Sequence, residues 1–578
     1  MIKMKQAYIF IVAFFFVLLT FFTNCSPAGF PQDSSSKRIN GTDTGNPYRT
    51  EGVAALPKTF LLSDFPSLPN NHNVLLVGSN KTYSNCQTAI DAAQPGDEVV
   101  IDAGFVCQPI ALRDKGTSEQ YIVIRSSNSA LLPPQGTRLS RANAADLAII
   151  ETSADAYAIT FEENAHHYHL AGLEVRVNAS FNGVLRGLIS IGPWNLTPLE
   201  SVPHHIVIAR SWIHADSHHE ILEAVRLNGS SISLVDSIID EIHAHSEAAV
   251  AIAGWKMGAG PFKIVNNEIV SAGESLMLGG YVTAQNQIPS DVEFRRNYVH
   301  RPLEWRQSIT SLANQTGPWR VGPLISFSNA QRILVYGNVF ENRWSNGGSD
   351  YGYAAEFAPD ALSGSSIQPW TRVQDIVFAF NIVRNAAGAF NIVYQNFETP
   401  EAIAQRLEFS HNLVYGIDSS WGTSLGVILL RQQAQGPTIF NHNTILSDPA
   451  SGPMLLNPWS NGLYSQFTFT NNICADQGDG IKDSNHDTGS ATLSAMFPGL
   501  VFGTNVLAGQ NPADYQDHSS TSFFPANLSA IGFTADPTTG VTDYHGLILA
   551  PSSPYRLRAS DGTDIGADVS KIESALNL

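Results

Sequence analysis

Seven arginines (Arg295, Arg296, Arg301, Arg306, Arg320, Arg332 and Arg343) crowd one stretch of a chain whose formal net charge is −18, and only Glu304 and Glu341 oppose them there. Trp305, Trp319, Trp344, Tyr351 and Tyr353 lie among them. Aromatic faces stack on the C–H surfaces of sugars, and guanidinium forks hold carboxylate or sulfate in bidentate fashion. Trp305, Trp319, Trp344, Arg320 and Tyr351 therefore read as the lining of a groove for an acidic polysaccharide. The competing reading is that these residues cover small cores of their own loops, with Arg stems packed on the rings. If the stretch is catalytic, a base such as Lys256 or His300 would take a proton from the sugar, with Arg296 or Arg306 pairing its carboxylate.

A second group recurs on successive turns: His214, Asp216, His218 and His219, then His243, His245 and Glu247, then Glu274. Carboxylates and imidazoles on adjacent rungs of a sheet stand about 5 Å apart. That spacing suits a metal site built from His245, Glu247 and Glu274, or an acid–base pair. Glu247 and Glu274 together also make a carboxylate pair of the kind that hydrolyses glycosides. So loose a pattern equally describes exposed polar turns.

The element that must position all of these is a repeat. The phrase FKIVNNEIV (262–270) returns as VEFRRNYV (292–299), ILVYGNVF (333–340), IVFAFNIV (376–383), LEFSHNLV (407–414), TIFNHNTI (438–445) and FTFTNNIC (467–474). Aligned, these copies place Asn267, Asn297, Asn338, Asn381, Asn412, Asn443 and Asn472 in one column, at intervals of 30, 41, 43, 31, 31 and 29 residues. Alternating apolar residues indicate strands, and a period of this length indicates stacked coils. Weaker copies at 166–175, 204–213 and 232–239 carry Leu173, Ser211 and Ser237 in the Asn column, which brings the count to about ten coils. An amide at one inward turn of every coil predicts a ladder of side-chain hydrogen bonds. The two long intervals adjoin, so their extra residues stack as loops on one side.

The rest of the chain divides around this body. Residues 1–24 read as a signal peptide, with Lys3 and Lys5 before the apolar run Tyr8–Phe22. Residues 25–70 read as a tether, 71–480 as the repeat and 481–578 as a C-terminal capping segment. The acidic balance excludes sequence-blind binding to nucleic acid or to an anionic lipid surface. The chain has four cysteines; Cys86 and Cys107 flank the first coil and either pair or stay as small hydrophobes.

Three resemblances add to this. Phe22-Thr23-Asn24-Cys25-Ser26 resembles the lipobox of bacterial lipoproteins, which implies lipidation at Cys25, a cell-envelope location and membrane contact through that anchor alone; an ordinary secreted protein is the alternative. The stretch Gln87–Gly104, with TAIDAAQPGDEVVIDAG, resembles the opening of the pectate lyase-like superfamily. That resemblance implies an all-β right-handed parallel β-helix with an N-terminal helical cap. The segment 245–280 resembles the catalytic coils of alginate lyases and chondroitinase B, which implies lyase or epimerase chemistry with Lys256 as base and Glu247 on calcium. His245 replaces the family's other Glu, and Gly279 stands where its Arg would be. The expectation is an exported β-helix acting on an acidic polysaccharide by C5 proton abstraction. A non-catalytic polysaccharide- or partner-binding lipoprotein and a glycoside hydrolase are the alternatives.

Overall fold

Each copy of the phrase needs neighbours, because a lone coil cannot bury its apolar residues. The computed structural model describes residues 36–38 and 52–577, apart from 195–200, 246, 282–286, 308–317, 346–350, 364–365, 449–451, 458–461, 476–477 and 542. Its strands stack into three parallel sheets of 14, 13 and 12 strands. The first sheet holds the strands before the ladder position, such as Phe262–Val265 and Ala330–Tyr336. The second holds those just after it, such as Glu268–Ser271 and Tyr298–His300. The third closes each coil, as in Glu274–Leu278, Ile325–Phe327 and Tyr353–Phe357. The fold is a right-handed parallel β-helix, the hand that parallel crossovers take.

Register explains the core. Ile264, Phe294, Val335, Phe378, Phe409, Phe440 and Phe469 pair rung to rung in one inward column. The Phe409 and Phe440 rings stack at 4.5 Å. The amide ladder runs beside this column. Asn338 donates from its backbone N–H and its Nδ2 to Asn381 Oδ1, both at 2.9 Å. Asn381 does the same to Asn412, and its Nδ2 also reaches Val335 O at 3.0 Å. At the upper end Ser237 Oγ accepts from Ser211 N, and Ser211 Oγ from Leu173 N. The residue before each ladder position has a positive φ, from 46° at Arg210 to 69° at Gly172. Gly337 fills this position where a Cβ would come within 2.4 Å of Ala575 O.

The ladder continues one rung further than the repeat phrase suggests, to Asn505, which accepts from Asn472. Strands at Ile481–Asp483, Val501–Gly503 and Val506–Ala508 extend all three sheets, so the boundary expected at residue 480 moves to about residue 508. The helix Ser490–Met496, inserted between them, hides that last copy in the sequence. The remaining tail runs back along the outside. Its Ile531, Leu547, Tyr555, Ile572 and Ala575 pack on Leu334, Tyr336, Val377, Phe380 and Leu413.

At the other end the helix Cys86–Ala92 buries Cys86, Ala89 and Ile90, and Asn85 accepts from Thr88 N at its N-terminus. A disulfide joins Cys86 to Cys107 on the first coil. Part of the expected tether is a strap instead. Ala55 N and Lys58 N donate to Asp375 and Asp291, Lys263 Nζ donates to Leu61 O, and Phe60 and Leu61 are buried. Two apolar side chains that find a sheet face to cover are enough to hold such a segment down. The signal segment 1–24 and Cys25 lie outside the described residues.

Candidate functional site

The side chains singled out in the sequence fall on different faces. Trp305, Trp319 and Trp344 do converge, but as a small core with Val270, Ala272 and Val321 in which they are 7%, 2% and 4% exposed. Trp319 is sandwiched between His243 and His245, with ring centroids 3.9 and 4.1 Å away. Arg301 and Arg343 are buried and serve the backbone. Arg301 donates to Ser271 O at 3.0 Å and to Gly322 O at 2.6 Å, and Arg343 donates to Tyr353 O and Trp344 O. Arg306 reaches Ser420 O and lies 4.5 Å over Trp421. Arg320 is exposed and Tyr351 half-buried. The expected tryptophan platform for sugars is therefore corrected: long insertions must bury apolar surface of their own, and the three rings do that.

The expected proton-abstracting set is likewise spread out. Arg296 sits at a ladder turn, donating to Leu576 O and Gly136 O. His300 lies on the second sheet, 3.1 Å from Glu268 and stacked on Tyr298. Lys256 follows the third-sheet strand Val250–Gly254, with Nζ 2.8 Å from Trp194 O. His245, Glu247 and Glu274 do not gather as ligands. Glu247 is exposed, His245 packs on Trp319, and Glu274 bonds Ser326 on the neighbouring rung. Among the described residues, the three metal-ligating side chains whose ligand atoms all lie within 4.8 Å of one another are His166, His167 and His204.

What the fold does assemble lies on the outer face of the third sheet. Register aligns Arg226, Ala253, Met277, Ser326, Glu356 and Asn391 in one outward column across six strands, half-buried at Glu356 and buried at the other five, with Trp255 packed over Ala253 and Met277. Five steps of about 4.8 Å make this floor about 24 Å long. Its two walls are the turns on either side of the sheet. The buried tryptophan core stands in the turns entering it. Trp194, Trp255 and Tyr281 stand in the turns leaving it, with the Trp194 ring 6.3 Å from Trp255 and 5.0 Å from Tyr281. Trp194 is 40% exposed. Lys256 Nζ and the Arg226 guanidinium lie 4.9 and 5.6 Å from its ring, and Arg226 is paired with Glu223 at 2.7 Å.

Carboxylates gather at the centre of the floor. Ser275 N and Leu276 N both donate to Leu324 O, a bulge that turns Glu274 onto the outer face. Ser326 Oγ donates to Glu274, and Asn391 Nδ2 donates to Glu356 Oε2 at 2.7 Å. Desolvation, reinforced by the Glu356 and Asp360 charges and opposed by the Ser326 hydrogen bond, pushes Glu274 up to about 7. Desolvation, with Glu356 again adding repulsion and Ser328 opposing, pushes Asp360 up to about 6. Glu274 is half-buried and Asp360 exposed, so solvent reaches both while protein surrounds them, as on the floor of a cleft. Such a cluster holds a proton near neutral pH and can pass it to a bound oxygen.

Of the expected site residues, this floor takes in Glu274, and Lys256 stands at its margin. Glu356, Asp360, Ser326, Asn391, Arg226 and Trp194 went unread. For Glu356 and Asn391 the signal is a polar residue inside an otherwise apolar strand, as in YAAEF and GAFNIV; Trp194 and Asp360 lie in turns, without such a signal.

No family model matches the chain, and no curated protein aligns with it. Among solved structures, it is similar to an alginate lyase from Paenibacillus sp. str. FPU-7, with 12% identity over 75% of this chain and 98% of that one and a TM-score of 0.27. The pectate lyase Pel9A has 12% identity over 86% of this chain and 97% of its own, with a TM-score of 0.34. A double mutant of the tailspike protein of E. coli bacteriophage HK620, in complex with a pentasaccharide, has 13% identity over 77% of this chain and 74% of its own, with a TM-score of 0.45. Three stacked parallel sheets make the scaffold a parallel β-helix. Likeness at this level assigns no reaction.

Proposed function

We propose that this protein binds a polysaccharide along the outer face of the third sheet and hydrolyses it there. The observation that carries the reading is the cluster of Glu274, Glu356 and Asp360, with Glu274 pushed up to about 7. A carboxyl group that keeps its proton near neutrality is a general acid for a glycosidic oxygen. Glu356, oriented by Asn391, is the partner that activates water or attacks the sugar carbon. Trp194, Trp255 and Tyr281 supply stacking surface at one end of the floor, and Lys256 beside Trp194 favours a chain carrying acidic groups there. Export through residues 1–24 and anchoring at Cys25 complete the proposal and place the enzyme where extracellular glycans are met. Uronate C5 abstraction is the second reading, and Lys256 at the margin of the floor is the observation in its favour.

The test is to incubate the protein with a panel of neutral and uronic-acid polysaccharides and follow reducing ends together with the ultraviolet absorbance of unsaturated uronates. Reducing ends without unsaturation support hydrolysis. Unsaturated product replaces it with the lyase reading. Binding to a panel member without any product, lost on Trp194→Ala, leaves a non-catalytic glycan-binding protein.

A further inference from the structure

Two adjacent rungs of the first sheet begin with the same dipeptide, His166-His167 and His204-His205, and the strands pair His166 with His204. In a regular strand, consecutive side chains point to opposite faces. Here the second histidine of each pair has a φ of 54°, and this local reversal brings both rings of a pair to one side. The Nδ1 atoms of His166 and His167 are 2.7 Å apart, and those of His204 and His205 are 2.6 Å apart. Stacking of the rungs then lays one pair over the other. The His166 and His204 rings are parallel at 4.9 Å, and the His167 and His205 rings at 4.6 Å. At the equivalent position on lower rungs, the same reversal serves ion pairs, Arg332 with Asp291 and Arg406 with Asp375. The four imidazoles thus replace a charge pair with four nitrogen donors.

We infer that His166, His167 and His204, with His205 beside them, form a site for one divalent transition-metal ion of the zinc class. Imidazole nitrogen is the ligand such ions prefer, and it is a poor ligand for calcium or magnesium. The tautomer is set for it. His166 Nε2 lies 2.6 Å from Gly116 O, and a carbonyl only accepts, so Nε2 carries the hydrogen and Nδ1 presents its lone pair; it accepts from His167 Nδ1–H, whose proton moves to His167 Nε2 or to solvent when a metal takes its place. A carbonyl behind a histidine ligand is the usual way of fixing the ring of a metal-binding histidine. Tetrahedral coordination at about 2.05 Å requires nitrogens roughly 3.4 Å apart. Each hydrogen-bonded pair opens by about 0.7 Å to meet this, and the nitrogens of the two rungs, within 4.8 Å of one another, close by up to about 1.4 Å through side-chain rotation. Neither movement disturbs the strand pairing. The His167 ring is backed by Tyr121 at 5.1 Å, which limits how far it can swing away.

The experiment is calorimetric titration of the metal-stripped full-length protein with Zn2+ alone, followed by the visible spectrum of its Co2+ form. One ion per chain, and the intense visible bands of four-coordinate cobalt, are expected. The double variant His166→Gln/His204→Gln should weaken binding at least a hundredfold, while His218→Gln/His219→Gln, on another face, should leave it unchanged. Circular dichroism of both variants confirms that the comparison is between folded proteins. Absence of stoichiometric binding overturns the inference. So does binding that survives the first double variant, or a cobalt spectrum of octahedral type.

Discussion

The interior of the ladder gives the sharpest quantitative test of the architecture. Asn381→Ala removes the single oxygen that accepts both the backbone N–H and the Nδ2 of Asn338, and both donors are buried. It also removes the donor to Val335 O. Each orphaned buried donor costs about 1–3 kcal/mol, so the loss comes to about 4 kcal/mol in total. Asn381→Ser is the informative control. Ser237 already accepts from Ser211 N in this column at 3.0 Å, so a serine hydroxyl at 381 can keep the backbone acceptor while giving up the amide bond. The serine variant should lose about half as much. Urea unfolding followed by far-ultraviolet circular dichroism measures both, with unfolding rates used in place of midpoints where refolding fails. A loss under 1 kcal/mol for Asn381→Ala, or equal losses for alanine and serine, would refute the assignment of these energies to the ladder.

Three further outcomes follow from the same geometry. Glu274 holds its proton more tightly folded than unfolded, so its contribution favours the fold below about pH 4.5 and is lost as pH rises towards 7. Glu274→Gln should therefore raise stability at pH 8 by up to about 3 kcal/mol, reduced by solvent screening, and leave it nearly unchanged at pH 4. Arg301→Met takes the guanidinium from Ser271 O and Gly322 O and should cost about 2–4 kcal/mol, seen as a lower midpoint in thermal unfolding. Cys86→Ala/Cys107→Ala opens a loop spanning 21 positions and should cost about 3 kcal/mol, with little effect on the wild-type protein in reductant-free buffer as the reference.

The scaffold was legible because one chemical requirement repeats. From Ser211 onward each coil puts a side-chain acceptor at the same buried turn, and the amide column from Asn267 to Asn472 states that requirement in plain sequence. The site was not legible in the same way. Ser326, Glu356 and Asn391 sit side by side on three rungs, with Glu274 bonded to the first, yet these three precede their next ladder residues by 12, 25 and 21 positions, because the connecting turns differ in length. Counting from the ladder therefore cannot align them. The tryptophans and arginines of the long loops misled for a different reason. Trp319 and Arg301 are the residue types that bind sugars, and they are also the types that fill an insertion's interior and bind its carbonyls. Composition alone cannot separate the two uses; the burial of Trp319 and the hydrogen bonds of Arg301 do. The strap at residues 55–65 was missed because two buried apolar residues, Phe60 and Leu61, leave no periodic signal.

Hydrolysis on the third-sheet face requires Glu274 to donate a proton to the glycosidic oxygen. The most direct measurement is the pH–rate profile of reducing-end release, on whichever polysaccharide the panel identifies, for the wild type and for Glu274→Gln. With Glu274 as the proton donor, the wild-type rate falls above about pH 7 and the variant's rate is about a thousandfold lower, with polysaccharide binding retained. A variant that turns over at the wild-type rate with the same falling limb would contradict it.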